Sequence, residues 1–436
     1  MAIEVRETTE SGNEVARGSV PLPRLLRMFW VWSAVAFVLM LVVSGLEYRA
    51  GFDWGRVNPW ARPFMDMQEY PGTYKLLHTA EFFNNVPTPA YPVPMPVAYP
   101  PFAVAVMAPM YAAASPVGFY LVVSVVWIVA AVWGVRRALV AEGIGGVTAA
   151  LFPASVVLLL FPILRLVIEG NIELVLWIFA ALGTWAFLRG RDNWAAALWG
   201  LAAAMKLYPI ILLILLLPRK RYRAIGLGLA TFVGSTVLSL AWLGPTMAIA
   251  WRGSLQNVFG YQGVRVGEFS LRELAANHSI FGLVKVVALV AYVPLSKLTL
   301  PYYACGAVVL GLAFFGKLWK MPVANQLLAV SVFMVSLPTV SYFHTLANLC
   351  APLVVLMFVA IEAEKAGVRV PGLTVTVMMF VPLFASWTLF TFQHVFVFDG
   401  LVQAVLLAGL FLCAVEYPFA VGGAEMGIDA ARRIEA

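Results

Sequence analysis

The chain has 436 residues, 62% of them hydrophobic and 12% charged, with a mean hydropathy of +0.88. Soluble proteins carry roughly 25% charged residues, so repeated apolar runs at this composition exclude an ordinary soluble globule and predict an all-α integral membrane protein. The net charge of +7 sits in basic pairs at segment ends, where it sets topology and predicts no nucleic-acid partner.

Residues 1–27 are polar and predict a cytoplasmic tail. Arg24 and Arg27 precede a first span over 28–46, with no small-residue cleavage site after it. Basic residues stay on the cytoplasmic side, so 47–115 is expected as a first extracytoplasmic loop. Within it, "PPFAVAVMAPMYAA" predicts a non-spanning helix opened by Pro100–Pro101. "PVGFYLVVSVVWIVAAVWGV" then crosses and brings Arg136 and Arg137 inside. Spans over 147–167 and 172–188 turn at "IEGNIE" on the outer face and return Arg189 and Arg191.

"WAAALWGLAAAMKLYPIILLILLLPRKRYR" has basic residues at both ends but the length of one crossing. A helix pair broken at Lys206–Pro209, entering and leaving on one side, satisfies both facts. Residues 224–243 lead to a second outer loop, 244–297. There "SIFGLVKVVALVAYVPL", with Lys285 in its middle, predicts an interfacial helix; the alternative is a span with a snorkelling lysine. Spans over 302–315, 323–340, 346–361, 373–390 and 401–416 follow. One membrane domain is thus expected over 28–418, with 419–436 a cytoplasmic tail.

This topology gathers the polar residues without a topogenic role on one outer face. An enzyme working there cannot draw on cytoplasmic nucleotide donors, so an activated group would arrive on a lipid carrier. Asp66, in "ARPFMDMQEYPGTYKLL", could act as general base on a hydroxyl. It could equally be a solvated loop acid, or a helix N-cap with Glu69 completing the capping pattern. Lys206 lies at membrane depth, which costs roughly 2.5–3.5 kcal/mol by insertion scales. It would face a cavity, a partner or a lipid phosphate, or else reach the interface because its helix is short. His344, after Ser341–Tyr342–Phe343, could donate to a phosphate, relay a proton, or serve only as a hydrogen-bonded interfacial side chain.

His78, His278 and His394 make no metal spacing with His344, and no HExxH, Walker or GxGxxG pattern is present. No metal site is expected. Cys305, Cys350 and Cys413 lie apart within apolar runs, which argues against a disulfide or a nucleophile. Two rivals share the hydropathy: a transporter or flippase for a lipid-linked sugar, and a non-catalytic membrane scaffold. A transporter should show inverted repeats and ionisable residues near mid-membrane; a scaffold should not require Asp66.

The ordered set "MDMQEY", "VAYPPFAVAVMAPMY", "IEGNIELVLWIFAALGTWAFLRGR", "WGLAAAMKLYPIILLILLLPRKRYRA", "ANHSIFGLV" and "VSLPTVSYFHTLANLCAPLVVL" resembles glycosyltransferase family 87. This GT-C-type family includes polyprenol-phosphate-mannose-dependent mannosyltransferases. The resemblance implies a GT-C-like bundle of about ten to twelve transmembrane helices whose extracytoplasmic loops carry short interfacial helices. It implies an inverting hexosyltransferase, with mannose as the expected sugar. The donor would be a polyprenyl-phosphate sugar, the acceptor a glycolipid or glycan hydroxyl, and the location the outer side of a bacterial inner membrane.

Asp66 matches the family's base, His344 its histidine and Lys206 the lysine of its broken helix pair. Glu69, Tyr70, Tyr99, Tyr208, Glu169, Asn171, Arg265, Arg272, Asn277 and His278 are expected around the substrates. A departing phosphate needs positive charge, which side chains can supply, so no cofactor is expected. The Pro–Tyr run from Pro87 to Pro101 would roof the loop and offer aromatic faces.

Overall fold

The computed structural model describes residues 21–49, 63–64, 67, 71–83, 98–267, 277–385 and 398–421. Among them every regular element is helical, as lipid requires of a chain that must satisfy its own backbone polar groups. The first half comprises α1 (Arg24–Arg49), α2 (Pro101–Ala112), α3 (Pro116–Ala141), α4 (Gly146–Leu159), α5 (Phe161–Glu169), α6 (Glu173–Leu188) and α7 (Asp192–Met205). The second comprises α8 (Tyr222–Leu243), α9 (Met247–Gly267), α10 (Ile280–Ala291), α11 (Leu295–Gly316), α12 (Val323–Ser336), α13 (Cys350–Lys365), α14 (Leu373–Phe384) and α15 (Phe398–Glu416). Two 3-10 helices, Tyr208–Leu216 and Phe343–Leu349, precede α8 and α13.

Five of these helical stretches are long and apolar enough to cross a bilayer: α1, α3, α8, α11 and the continuous run Phe343–Lys365. The span expected over 147–167 is instead a bent pair, α4 and α5, meeting at 63°. Leu160 is extended there, and Pro162 has no N–H to continue the helical ladder. Counting that pair gives six full-length spans among the described residues, beside six shorter apolar helices of 10–17 residues. The shorter ones fall below the length of a full crossing. The 16 residues of α6 cover about 24 Å, less than the roughly 30 Å of a hydrocarbon core. The helix expected over 323–340 stops at Ser336, where Pro338 offers no N–H to the Met334 carbonyl.

Two expected irregularities take the form foreseen. α2 is a 12-residue helix opened by proline and too short to cross. The α7 pair is broken at Lys206, whose extended backbone (φ −148°, ψ 137°) ends α7. Its two outer ends are fastened together, because Asp192 at the start of α7 accepts from Arg219 and Arg221, each at 2.9 Å. α10 forms where a helix was expected, but Lys285 is fully buried among protein side chains, so it does not snorkel. The reason is tertiary: α10 packs against α11 and α15.

α12 is buried from Ala324 through Ser336 and touches α13, α15 and both 3-10 helices. This central helix packs on both the 3-10 helix that begins at Tyr208 and the one that carries His344. The basic residues that predict topology collect at the opposite end. There the Arg24 amide meets Glu364 at 2.8 Å, Lys365 pairs with Glu142, and Lys317 pairs with Glu416 at 2.7 Å.

Candidate active site

The site is built around the turn between α5 and α6. Gly170 closes α5 with φ +70°, and a Cβ there would meet Met67 Cγ at 2.7 Å, so glycine is required on two counts. The Phe64 amide donates to the Ile168 carbonyl at 2.6 Å, which docks residues 64 and 67 on this turn. Asn171 Oδ1 accepts from the Glu173 amide at 2.9 Å. Tyr120, buried on α3, donates to the Leu166 carbonyl at 2.8 Å. The turn is held from three sides.

Held this way, two acids four positions apart across the turn, Glu169 ending α5 and Glu173 opening α6, meet two residues four positions apart on the 3-10 helix Phe343–Leu349. Glu169 Oε2 lies 3.1 Å from His344 Nδ1, and Glu173 Oε1 lies 3.0 Å from Asn348 Nδ2. An ionised carboxylate only accepts, so the first contact puts the His344 proton on Nδ1 and leaves Nε2 as the other ring nitrogen. Arg165 supports Glu169 from the preceding turn of α5. Phe161 packs edge-on against Phe343 at 5.6 Å and fixes the spacing of the two elements.

Glu173 is the hub. It is fully buried, receives Lys206 Nζ at 2.6 Å, and accepts from Tyr208 and Asn348. A buried carboxylate with one partner would be costly, whereas one with three donors is fully compensated. The Lys206 side chain stays 24% exposed, so Glu173 holds the ammonium without enclosing it. The Asn348 amide group is buried, and its Oδ1 has no donor among the described residues.

Behind the 3-10 helix, His278 Nε2 lies 2.9 Å from Ser341 Oγ and 3.1 Å from Thr345 Oγ1. Burial, with the nearby His344 charge acting in the same direction, pushes His278 down to about 3, so its ring is neutral. Asn277 Oδ1 accepts from the Ser341 and Ser279 amides at 3.0 and 3.1 Å. Asn277 and His278 thus clip the segment that presents His344 and Asn348.

Of the residues expected from the sequence, the structure joins Glu169, Asn171, Lys206, Tyr208, Asn277, His278 and His344 in one polar network. Tyr99 stands half-buried against the apolar core before α2. Asp66, Glu69, Tyr70 and Arg272 lie outside the described residues, as does most of the Pro–Tyr run, and Arg265 is described in its backbone alone. Among the described residues no three His, Cys, Asp or Glu side chains converge on a metal position.

Three members of the network were missed: Arg165, Glu173 and Asn348. Arg165 and Glu173 did carry a signal. Each is a lone charge within an apolar run, the same argument that singled out Lys206. Asn348 carried none.

The arrangement sets three groups able to bear positive charge, Arg165, Lys206 and His344, on one end of the bundle, each anchored by a carboxylate. The pattern of glycosyltransferase family 87 matches residues 98–341, which takes in the Glu169–Glu173 turn, Lys206, His278 and Ser341. Over 345 residues the chain is 27% identical to a polyprenol-phosphate-mannose-dependent alpha-(1-2)-phosphatidylinositol pentamannoside mannosyltransferase of Mycobacterium tuberculosis (strain CDC 1551 / Oshkosh). That alignment covers 77% of this chain and 75% of the relative. With more than half of the chain matched and the helices to cross a bilayer, the protein belongs to glycosyltransferase family 87 and is a membrane glycosyltransferase.

Proposed function

We propose that this protein transfers a hexose, mannose in the first instance, from a polyprenyl-phosphate sugar to a hydroxyl of a glycolipid or glycan. The reaction would take place on the extracytoplasmic face of a bacterial inner membrane. The carrying observation is that Arg165, His344 and Lys206 are each held by a carboxylate flanking the one α5–α6 turn, Glu169 or Glu173, which suits a departing lipid phosphate. The donor class is supported by the mycobacterial relative, whose name specifies polyprenol-phosphate mannose. Outward orientation is supported by the gathering of Arg24, Lys317 and Lys365 at the opposite end. Membership of a glycosyltransferase family favours transfer over transport of a lipid-linked sugar.

In the proposed reaction the acceptor oxygen attacks the anomeric carbon and Asp66 takes its proton. The bond from that carbon to the phosphate oxygen breaks, and its electrons leave with polyprenyl phosphate. Attack opposite the leaving group inverts the anomeric centre. Lys206 and Arg165 hold the phosphate, and His344, carrying a proton on each ring nitrogen, donates to it through Nε2 while its Nδ1–H stays on Glu169, which orients the ring. The fastening of residues 64 and 67 to the Ile168–Gly170 turn supports a role for Asp66 at this site. Written this way, the reaction needs no cofactor.

The test is transfer by purified protein in vesicles, with polyprenyl-phosphate mannose as donor. Asp66→Asn should lower the rate by about 10²–10⁴-fold, the range for a general base, while the protein still inserts and stays folded. Unchanged activity in that variant removes Asp66 from catalysis. Equal activity with a nucleotide sugar and no lipid donor overturns the donor assignment.

A further inference from the structure

Residues 71–83 begin five positions after Asp66 and lie against α2, α8 and α9, none of which carries a member of the ionic network. Tyr74 is buried, stacks on Tyr111 of α2 with ring centroids 4.1 Å apart, and meets Phe82 edge-on at 6.0 Å. Phe83 fits against Gly253 of α9, where a Cβ would lie 2.3 Å from the Phe83 Cγ. Only glycine lets the two come so close.

Between these aromatic contacts His78 makes a polar one. α8 ends at Leu243, and neither the extended Gly244 nor Pro245, which has no N–H, continues its ladder. Two of the last carbonyls are taken by His78 instead. Its backbone N–H donates to the Leu243 carbonyl at 3.0 Å, and its ring Nδ1–H to the Trp242 carbonyl at 2.7 Å. A carbonyl only accepts, so the ring carries a proton on Nδ1. The ring also stands edge-on to Trp242, with centroids 4.9 Å apart. His78 does this from a left-handed backbone, φ +69°, which is uncommon for a residue with a Cβ. Contacts that hold a residue in such a conformation point to a functional constraint.

α8 is in turn closely packed on α7, since a Cβ on Gly200 would lie 2.3 Å from the Gly228 carbonyl oxygen. α7 ends at Lys206. On the other side of Asp66, Phe64 and Met67 are docked on the Ile168–Gly170 turn. The chain around Asp66 is therefore fastened at one end to the turn that carries Glu169, and at the other to the helix pair that carries Lys206. We propose that His78 is a positioning residue: by capping α8 it aims Asp66 relative to the donor phosphate held on Lys206. This inference rests on the assignment of Asp66 as the base and adds the residue that places it.

Transfer kinetics and hydrogen exchange of the full chain in vesicles test it. His78→Gly accepts the left-handed backbone but has no ring N–H. It should lower kcat at least tenfold with the donor KM unchanged, because Lys206 and His344 stay in place. His78→Asn tolerates the same backbone and offers an amide N–H near the position of Nδ1, so it should stay within threefold of the parent. Gly253→Ala, which displaces Phe83, should resemble His78→Gly. Hydrogen exchange of residues 71–83 reads the fastening without the chemistry, and should quicken at least tenfold in His78→Gly but not in His78→Asn. Parental kcat in His78→Gly overturns the proposal, as does a loss that His78→Asn fails to restore, or a change confined to the donor KM. A fall in kcat with unaltered exchange overturns it too. If Asp66 is not the base, Asp66→Asn transfers at the parental rate while exchange still responds to His78, which ends the positioning role by that separate route.

Discussion

At one end of the bundle, Asp192 accepts from Arg219 and Arg221, Glu142 from Lys365, and Glu416 from Lys317. At the other, Glu169 and Glu173 hold Arg165, His344 and Lys206. The chemistry is alike, but the surroundings differ. Lys317 and Glu416 are both exposed, and an ion pair of that kind contributes about 0–1 kcal/mol. Asp192 and Glu142 are buried, but the partners of each are cations that fasten helix ends the apolar runs have already brought close. Glu173 is fully buried, where apolar packing would stabilise as well or better, and it draws together a lysine, a tyrosine and an asparagine from separate elements. Cation pairs tie off the ends of a fold; an acid that gathers such different donors marks the site.

Substitutions can break this contrast or sharpen it. The largest effect is expected from Glu173→Gln, which keeps a hydrogen bond to Asn348 but frees Lys206 from its anchor. Transfer should fall at least about 100-fold, in keeping with the cost of misplacing catalytic groups. Asp192→Asn assayed alongside should change transfer less than about threefold, and equal losses would erase the distinction between the two ends.

Lys206→Met should raise the KM for the donor about 30-fold, the worth of a charge-assisted hydrogen bond, with little change for the acceptor. A shift confined to the acceptor KM would remove Lys206 from the phosphate. Gly170→Ala combines a left-handed backbone with a clash at Met67 and should destabilise by about 2 kcal/mol, read as Tm in detergent.

His278 gives a smaller, pH-dependent effect. Its folded value of about 3 lies below the ordinary 6.5, so between those values the unfolded chain takes up a proton that the folded one refuses. The stability it contributes is therefore complete above pH 6.5 and falls as pH drops, by roughly 1.4 kcal/mol at pH 5.5. His278→Gln should flatten that part of the pH profile, and an unchanged slope would show that another group titrates.

Much of the site was legible at the level of the turn. "IEGNIE" announced the α5–α6 connection, Lys206 the break after α7, and basic residues at both ends of one apolar run the return of that pair to its starting side. Glu173 and Arg165 were visible as charges in apolar surroundings but had no assignable partner, because Glu173 meets Lys206 across 33 positions and Asn348 across 175. The bend between α4 and α5 was hidden for a related reason. Hydropathy reports how apolar a run is, and a run such as 147–167 stays apolar through the bend that Pro162 imposes.

From the amino-acid order alone came the membrane class, the two-ended distribution of charge and the short list of polar residues that lipid would not tolerate without purpose. These follow from composition and local spacing, which transfer free energies act on residue by residue. Which acid meets which cation, and that Lys285 is buried among its neighbours, were decided by packing. Helices of similar hydropathy can be arranged in many ways, and only the fit of α12 among its neighbours selects one.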